Sequence, residues 1–183
     1  MVSDFRKKKL LHLFTTFFDT NSSGTIDKKD FDLALDKLSK IRGWSAGDAK
    51  YKEIEDYLNK IWTGLQSKAD ADNDGEISKD EWISMWDEFA KNPAAATEWQ
   101  NLYCKFVFAV EDGSNDGSID SEEFSSVYAA FGINKAEAVQ AFQKMSKGKA
   151  SVAWPEFQEL FKEYFTTEDA TAPGNFLFGK TSF

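Results

Sequence analysis

Three stretches of the sequence place side-chain oxygens at alternate positions of a twelve-residue segment. The clearest is DADNDGEISKDE, residues 70–81, in which six carboxylates accompany a single lysine. Carboxylates this close repel one another, so the crowding becomes favourable only when a cation neutralises it. A twelve-residue loop can surround Ca²⁺ with oxygens from positions 1, 3, 5, 7, 9 and 12 at about 2.3–2.6 Å. The spacing therefore predicts a metal-binding loop.

Residues 70–81 match the full pattern D-x-[DN]-x-[DN]-G-x₅-E that specifies this geometry. The predicted ligands are Asp70, Asp72, Asp74, the backbone carbonyl of Glu76, Ser78 and Glu81. Gly75 at position 6 allows the sharp turn because glycine tolerates positive φ. Ile77 at position 8 is placed to form a short β-bridge with a neighbouring loop.

A second loop of this kind, DGSNDGSIDSEE, covers residues 112–123. Its predicted ligands are Asp112, Ser114, Asp116, the backbone carbonyl of Ser118, Asp120 (directly or through water) and Glu123. Serine at position 3 is a weaker ligand than aspartate, but the other groups compensate for it. We therefore predict a second metal site in this loop.

The loop nearest the N-terminus, DTNSSGTIDKKD, covers residues 19–30. Its predicted ligands are Asp19, Asn21, Ser23, the backbone carbonyl of Thr25, Asp27 and Asp30. Asp30 at position 12 is one methylene shorter than glutamate, so it reaches the ion less easily with both oxygens. A shorter carboxylate suits six-coordinate Mg²⁺ better than the larger shell of Ca²⁺. We predict a site with mixed Ca²⁺/Mg²⁺ character.

A fourth segment, MSKGKASVAWPE at residues 145–156, keeps the length of the loop but not its ligands. It carries Met145, Lys147 and Lys149 at positions 1, 3 and 5, where ammonium groups repel a cation. Only Glu156 at position 12 remains, so this copy is predicted to bind no metal. Three divalent ions in the other loops would change the formal charge from −9 to −3.

The segments around these loops repeat one apolar rhythm four times. Each loop is followed by apolar residues at i, i+3, i+4 and i+7, which is the spacing of one helical face. The four stripes begin at Phe31, Trp82, Phe124 and Phe157. A second apolar helix is predicted before each loop, so the fold is expected to be all-α, with four helix–loop–helix units.

We expect these units to form two paired lobes. Asn92-Pro93-Ala94 interrupts the chain between the second and third units. The first lobe is predicted to span residues 1–92 and the second residues 93–165, with two loops in each. A tail, residues 166–183, follows.

The tail begins polar and ends apolar. It breaks at Pro173-Gly174 and then presents Phe176, Leu177 and Phe178. Because exposed apolar clusters promote association, we expect residues 176–178 to fold back and occlude an apolar cleft. A frayed terminus is the alternative.

Composition narrows the functional classes. A net charge of −9 argues against nucleic acid as a partner, since nucleic acids bind basic patches. Cys104 is the single cysteine, which favours a reducing, cytoplasmic location. With one histidine, His12, and no Gly-rich phosphate loop, no enzymatic site is predicted. We expect a monomer with no membrane-spanning segment.

The N-terminus carries the basic run Arg6-Lys7-Lys8-Lys9 beside two leucines. Such a run could contact a membrane or an acidic partner. A solvated helix face is the more ordinary explanation, and it is the one we favour.

The loops and their order resemble those of the invertebrate sarcoplasmic calcium-binding proteins, which have four EF-hand-like units. The resemblance is strongest to the calexcitin branch, through EWISMW at 81–86, SSVYAAFGI at 125–133 and GNFLFG at 174–179. It covers essentially the whole chain. It implies a compact cytosolic four-EF-hand protein and, for calexcitins, a neuronal signalling role. Photoproteins share this architecture, but they need several cavity histidines and this chain has one.

The sequence leaves two calcium-related functions open. A sensor exposes an apolar groove on binding Ca²⁺, and such grooves are rich in flexible methionine. This chain has three methionines and fills its helical stripes with phenylalanine and tryptophan instead. We therefore expect a well-packed Ca²⁺/Mg²⁺ buffer. A calexcitin-like sensor that regulates a target such as a channel is the alternative, because a tail that occludes a cleft can also be released.

Overall fold

The computed structural model describes residues 2–95 and 98–183, so Met1, Ala96 and Thr97 of the predicted lobes lie outside the described residues. The described residues form eight α-helices and two short strands. The helices are α1 (Asp4–Leu13), α2 (Lys28–Arg42), α3 (Ala49–Ala69), α4 (Lys79–Lys91), α5 (Glu98–Glu111), α6 (Ser121–Ala130), α7 (Lys135–Ser146) and α8 (Trp154–Thr166). The strands are β1 (Ser118–Asp120) and β2 (Ser151–Ala153). The predicted all-α fold of helix–loop–helix units is confirmed.

Three shorter helical pieces complete the described secondary structure. A π-helix, Phe14–Phe18, continues α1 into the loop at residues 19–30. The 3₁₀ turns Pro93–Ala95 and Pro173–Phe176 follow α4 and α8. In the described part of the chain, none of the helices combines the length and the apolar character needed to cross a bilayer.

The helices that follow the three predicted metal loops begin with the same device. The residue at loop position 9 accepts a hydrogen bond from the backbone N–H at position 12, and the position-12 carboxylate accepts one in return. This reciprocal capping box satisfies backbone donors that a helix N-terminus leaves unpaired. It is formed at α2, α4 and α6 by Asp27 with Asp30, Ser78 with Glu81, and Asp120 with Glu123. Two predicted ligands of each loop thus also start the helix that follows it.

The chain divides into two units. The N-unit is Leu10–Phe106, and the C-unit is the segment up to Lys9 together with Val107–Phe183. The N-unit contains loops 19–30 and 70–81, and the C-unit contains loops 112–123 and 145–156. These ranges differ from the lobes 1–92 and 93–165 because α1 and α5 each pass from one unit to the other.

Aromatic rings fill the core of the N-unit. The fully buried Trp82 ring lies 4.6 Å from the Phe18 ring and 5.7 Å from the Trp86 ring, measured between centroids. Its indole Nε1–H donates to the Leu10 carbonyl at 2.8 Å. On α5, Trp99 packs on Trp86 at 5.5 Å, which explains why the first part of that helix belongs to this unit.

The C-unit is built around two paired loops and a returning tail. β1 and β2 pair antiparallel, with Ile119 opposite Val152 and both side chains fully buried. The tail residues Phe176, Leu177 and Phe178 are buried, and the Phe178 ring lies 4.8 Å from the Tyr164 ring on α8. The residues predicted to fold back are therefore covered by the rest of this unit.

Lys9 is a charged side chain buried in the C-unit, only 1% exposed. Its ammonium donates to the carbonyls of Tyr164 at 2.7 Å and Thr167 at 3.1 Å, and to Asn175 Oδ1 at 2.9 Å. Burial lowers the pKa of Lys9 from 10.5 to about 8. Arg6, one turn earlier, is also buried and donates to the Phe165 carbonyl at 3.4 Å.

Candidate metal sites

The three predicted metal loops share one backbone turn. In each, the carboxylate at position 1 accepts hydrogen bonds from the backbone N–H groups at positions 5 and 6. The bonds to position 6 are Gly24 to Asp19 at 2.8 Å, Gly75 to Asp70 at 3.0 Å and Gly117 to Asp112 at 3.0 Å. Each of these glycines has φ between +86° and +95°, where a side chain would be strained. The turn therefore folds the first six residues of each loop around the position-1 carboxylate.

Loop 70–81 brings its carboxylates together. Oxygen atoms of Asp70, Asp72 and Asp74 all lie within 4.8 Å of one another. Oxygens around one Ca²⁺ at about 2.3–2.6 Å are separated by no more than about 5 Å, so this arrangement fits a single divalent ion. Oxygen-only donors are also the type that hard cations select.

The predicted ligands of the other two loops differ in their burial. Those at position 1, Asp19 and Asp112, are buried, whereas the ligands at positions 3 and 5 face solvent. The exposed residues are Asn21, Ser23, Ser114 and Asp116. The position-7 residues, whose backbone carbonyls are the predicted ligands, are the half-buried Thr25 and Ser118 and the exposed Glu76. A hydrated ion can therefore reach each loop from its open side.

The carboxylate at position 12 already points back to the start of its loop. One oxygen accepts from the backbone N–H at position 2 or 3 and the other from the N–H at position 9. The pairs are Asp30 with Asn21 at 3.1 Å and Asp27 at 2.9 Å, Glu81 with Ala71 at 2.9 Å and Ser78 at 2.8 Å, and Glu123 with Ser114 at 2.9 Å and Asp120 at 3.0 Å. Asp30 is fully buried, whereas Glu81 and Glu123 are half-buried.

The carboxylates differ in how readily they ionise. Burial raises the pKa of Asp30 above its ordinary value, despite hydrogen bonds from Asp27 and Asn21. At Asp72, a hydrogen bond from the Asp74 backbone favours ionisation, but partial desolvation and the charges of Asp74 and Glu81 raise its pKa overall. Burial opposes ionisation of Glu81 too, yet hydrogen bonds from Ser78 and Ala71 outweigh it and lower the pKa. A bound cation would relieve the repulsion at Asp72.

Loops are joined in pairs within each unit. In the N-unit, Ile26 and Ile77 exchange two backbone hydrogen bonds, with N···O distances of 2.9 and 2.8 Å. The bridge predicted for Ile77 is therefore present. In the C-unit the corresponding contact is the three-residue pairing of β1 with β2. Because these residues lie between ligand positions 7 and 9, the two loops of a pair are mechanically linked.

The segment 145–156 has a different backbone from the other three. Helix α7 continues to Ser146, two residues into the segment, and positive φ values occur at Lys147 (56°) and Gly148 (79°). Met145 at position 1 is fully buried. The Lys149 ammonium forms an ion pair with the Glu156 carboxylate, so the one retained ligand is already neutralised. This geometry supports the prediction that the segment binds no cation.

Thr20 at position 2 is a contact that the ligand pattern did not predict. Its hydroxyl donates to the backbone carbonyl of Asp30, with an O···O distance of 2.7 Å, and the Phe18 carbonyl oxygen lies 3.2 Å from the same Oγ1. Position 2 supplies no ligand, so the spacing gave no signal for it.

Comparison with known proteins agrees with this geometry. The EF-hand family profile matches residues 16–33 and 67–86, which contain the two loops of the N-unit. Calexcitin-1 of Caenorhabditis elegans is 33% identical over 189 residues, covering 100% of this chain and 90% of the relative. This chain belongs to the EF-hand family of sarcoplasmic calcium-binding proteins and calexcitins. Proteins of this family bind calcium and are not enzymes.

Two further comparisons connect the chain to the sarcoplasmic branch. Sarcoplasmic calcium-binding proteins I, III and IV of Branchiostoma lanceolatum are 29% identical over 183 residues, which is 98% of this chain and 98% of the relative. The solved structure of a sarcoplasmic calcium-binding protein from amphioxus superposes with a TM-score of 0.80 at 28% identity. That match covers 98% of this chain and 99% of the other. The family resemblance expected from the sequence is confirmed.

Proposed function

We propose that this protein is a cytoplasmic buffer that binds three divalent cations, in loops 19–30, 70–81 and 112–123. The observation that carries the proposal is the turn shared by the three loops, with the oxygens of Asp70, Asp72 and Asp74 gathered within 4.8 Å. The ion-paired Lys149 and Glu156 support a count of three rather than four. When bound, Ca²⁺ would neutralise the repulsion among these carboxylates.

Packing of the N-unit supports a buffer over a sensor. Its core is formed by rigid aromatic rings, including Trp82, Trp86 and Phe18, which are buried, and the Trp82 ring contacts the other two. A sensor opens by exchanging contacts among flexible side chains, whereas buffers open little. Ions that bind only the folded chain then act mainly by stabilising it.

The tail supports the second candidate, a calexcitin-like sensor. Phe176, Leu177 and Phe178 cover apolar side chains of the C-unit, and the Lys9 hydrogen bond to Asn175 holds the tail at its start. A segment held by specific polar contacts can be released, and release would expose a groove for a protein target. Under the buffer proposal the tail stays in place with and without calcium.

Removing residues 174–183 tests the role of the tail. Truncation should expose the side chains that Phe178 covers, among them Tyr164 and Phe165, and so increase the fluorescence of an apolar dye. In the full-length protein, dye fluorescence should stay low in calcium and in chelator. A rise in full-length dye binding on adding calcium favours the sensor, and unchanged fluorescence after truncation contradicts occlusion.

We propose a protein target only under the alternative function, in which the protein is a calcium sensor. The basic N-terminal run offers little to a membrane because Arg6 and Lys9 are buried, which leaves Lys7 and Lys8 exposed. We propose a monomer in the cytoplasm, where the single buried cysteine, Cys104, remains reduced.

Calorimetric titration with Ca²⁺, in the presence and absence of millimolar Mg²⁺, tests the buffer proposal. We expect three bound Ca²⁺ ions without Mg²⁺ and a reduced response from one site when Mg²⁺ is present, since Asp30 shortens the reach of loop 19–30. Four ions would contradict the assignment of segment 145–156. Fewer than three would remove one of the proposed sites.

A further inference from the structure

Loop 19–30 is closed by a hydrogen bond that the other two metal loops lack. Thr20 Oγ1 donates to the backbone carbonyl of Asp30 at 2.7 Å and so ties position 2 to position 12. The residues at position 2 of the other loops are Ala71 and Gly113, which have no hydroxyl group. The same loop is the one that carries the shorter aspartate at position 12.

The loop that has the Thr20–Asp30 hydrogen bond also has the most buried position-12 carboxylate of the three. Asp30 is 0% exposed, and both of its carboxylate oxygens accept backbone hydrogen bonds, from Asn21 and Asp27. In the other loops the longer Glu81 accepts from the N–H at position 2 and Glu123 from the N–H at position 3, and both remain half-buried. Drawing the Asp30 backbone toward the loop entrance compensates for the methylene group that its side chain lacks.

A contracted, enclosed loop has consequences for ion choice. Mg²⁺ requires near-ideal octahedral oxygens at about 2.0–2.1 Å, whereas Ca²⁺ accepts six to eight at about 2.3–2.6 Å. To take a larger shell, loop 19–30 would have to move position 12 relative to position 2, which stretches the Thr20 hydrogen bond. Binding of the smaller ion leaves that bond intact.

We propose that Thr20 is a specificity-determining residue, whose hydroxyl holds loop 19–30 contracted and favours Mg²⁺ at this site. The inference rests on the proposed function, since it assumes that the loop binds a divalent ion. Thr20 is a positioning residue because it acts through Asp30 and does not ligate the ion.

The test compares Thr20→Val, which keeps the side-chain shape, with Thr20→Ser, which keeps the hydroxyl. Thr63→Val is the matched control, because Thr63 makes a similar hydroxyl-to-carbonyl bond to Asn59 on the exposed face of α3. Binding at loop 19–30 alone is read from the NMR signal of the Gly24 amide, which is hydrogen-bonded to Asp19. Amide hydrogen exchange of residues 20–23 in chelator provides a second readout without any metal.

We expect Thr20→Val to weaken Mg²⁺ binding about two- to tenfold, the value of one lost hydrogen bond. Ca²⁺ affinity at the same loop should fall by less, and exchange of the loop amides in chelator should be faster. Thr20→Ser and Thr63→Val should behave as wild type. If the Thr20 contact were merely structural, its loss would weaken the binding of Mg²⁺ and Ca²⁺ by the same factor. A preferential loss of Mg²⁺ affinity is therefore specific to the proposal.

Two results would overturn the proposal. Equal loss of both ions in Thr20→Val, or no change in either, would show that the hydroxyl does not set ion choice, while leaving the three-site function intact. A wild-type Gly24 amide that responds to neither ion would instead refute metal binding at this loop, and the inference about Thr20 with it.

Discussion

At the residue scale, each position-12 carboxylate serves both the loop that it closes and the helix that it begins. Glu81 accepts hydrogen bonds from Ala71 and Ser78 and is a predicted ligand through both oxygens. Its amide analogue would keep one acceptor oxygen for the helix cap but lose the charge and one ligand atom. The two roles can therefore be separated by substitution.

Glu81→Gln should lower the calcium affinity of loop 70–81 by about tenfold or more, because a charged bidentate ligand becomes a neutral one. The free energy of unfolding in chelator should fall by only about 1 kcal/mol, since the amide oxygen still caps α4 and one hydrogen bond, from Ala71, is lost. Glu76→Gln is the matched control, because Glu76 is expected to bind through its backbone carbonyl and its side chain is exposed. Calorimetric titration of both variants checks this. If both variants lost the same calcium affinity, the loss would reflect the change in net charge and not a ligand removed from the ion.

Lys9 provides a pH-dependent prediction. Because burial lowers its folded-state pKa to about 8, the unfolded chain binds more protons at this residue between about pH 8 and 10.5. The contribution of Lys9 to stability should therefore increase as pH rises through this range, by on the order of 3 kcal/mol in total. Urea unfolding from pH 7 to 10 should show this increase in wild type relative to Lys9→Met.

The control for Lys9 is its exposed neighbour Lys8. Lys8→Met should follow the wild-type pH dependence, because it leaves the buried Lys9 ammonium and its three acceptors in place. If Lys9→Met and wild type keep a constant difference in unfolding free energy, then Lys9 does not titrate as its burial requires.

Residues near in sequence were predictable and residues joined by the fold were not. The shared turn of loops 19–30, 70–81 and 112–123 follows from spacing within twelve residues, whereas their ligands stay a prediction. Lys9 meets Tyr164 and Asn175 across more than 150 residues, so its basic neighbours suggested only a solvated helix face. Those partners become visible only when α8 and the tail are placed.

At the element scale, the helices were predictable because four apolar stripes repeat at helical spacing. The extension of α7 to Ser146 was not, since it depends on Met145 being buried as part of the helix. Nor were the boundaries of the two units, because α1 and α5 contribute residues to both. Sequence breaks such as Pro93 mark the ends of helices, but packing decides which unit a helix joins.

Loop pairing makes an element-scale prediction about coupling. Asp19→Asn removes the position-1 carboxylate of loop 19–30, and the Ile26–Ile77 bridge should transmit the loss to loop 70–81. We expect calcium affinity at loop 70–81 to fall by about fivefold, the lower end of ordinary coupling between sites. NMR titration of the Gly75 and Gly117 amides separates the loops.

The Gly117 amide is the internal control, because its loop pairs with segment 145–156 through β1 and β2. Its calcium response should be unchanged in Asp19→Asn. An unchanged Gly75 response would mean that the bridge holds the loops together without coupling their ion binding.

For the whole molecule, the central claim is electrostatic. A chain of net charge −9 concentrates carboxylates in three loops, and three divalent ions would leave −3. Ions that bind only the folded form add about 2.7 kcal/mol each at a hundred times the dissociation constant. We therefore expect repulsion within the loops to lower the free energy of unfolding when no ions are bound, and bound ions to raise it.

A crystal structure of the protein grown in calcium tests this claim most directly, through the anomalous scattering of Ca²⁺. The account predicts anomalous peaks in loops 19–30, 70–81 and 112–123, and none in segment 145–156. Magnesium added to the same crystals should weaken the peak in loop 19–30 first. Empty loops, or a fourth peak between Lys149 and Glu156, would contradict the account.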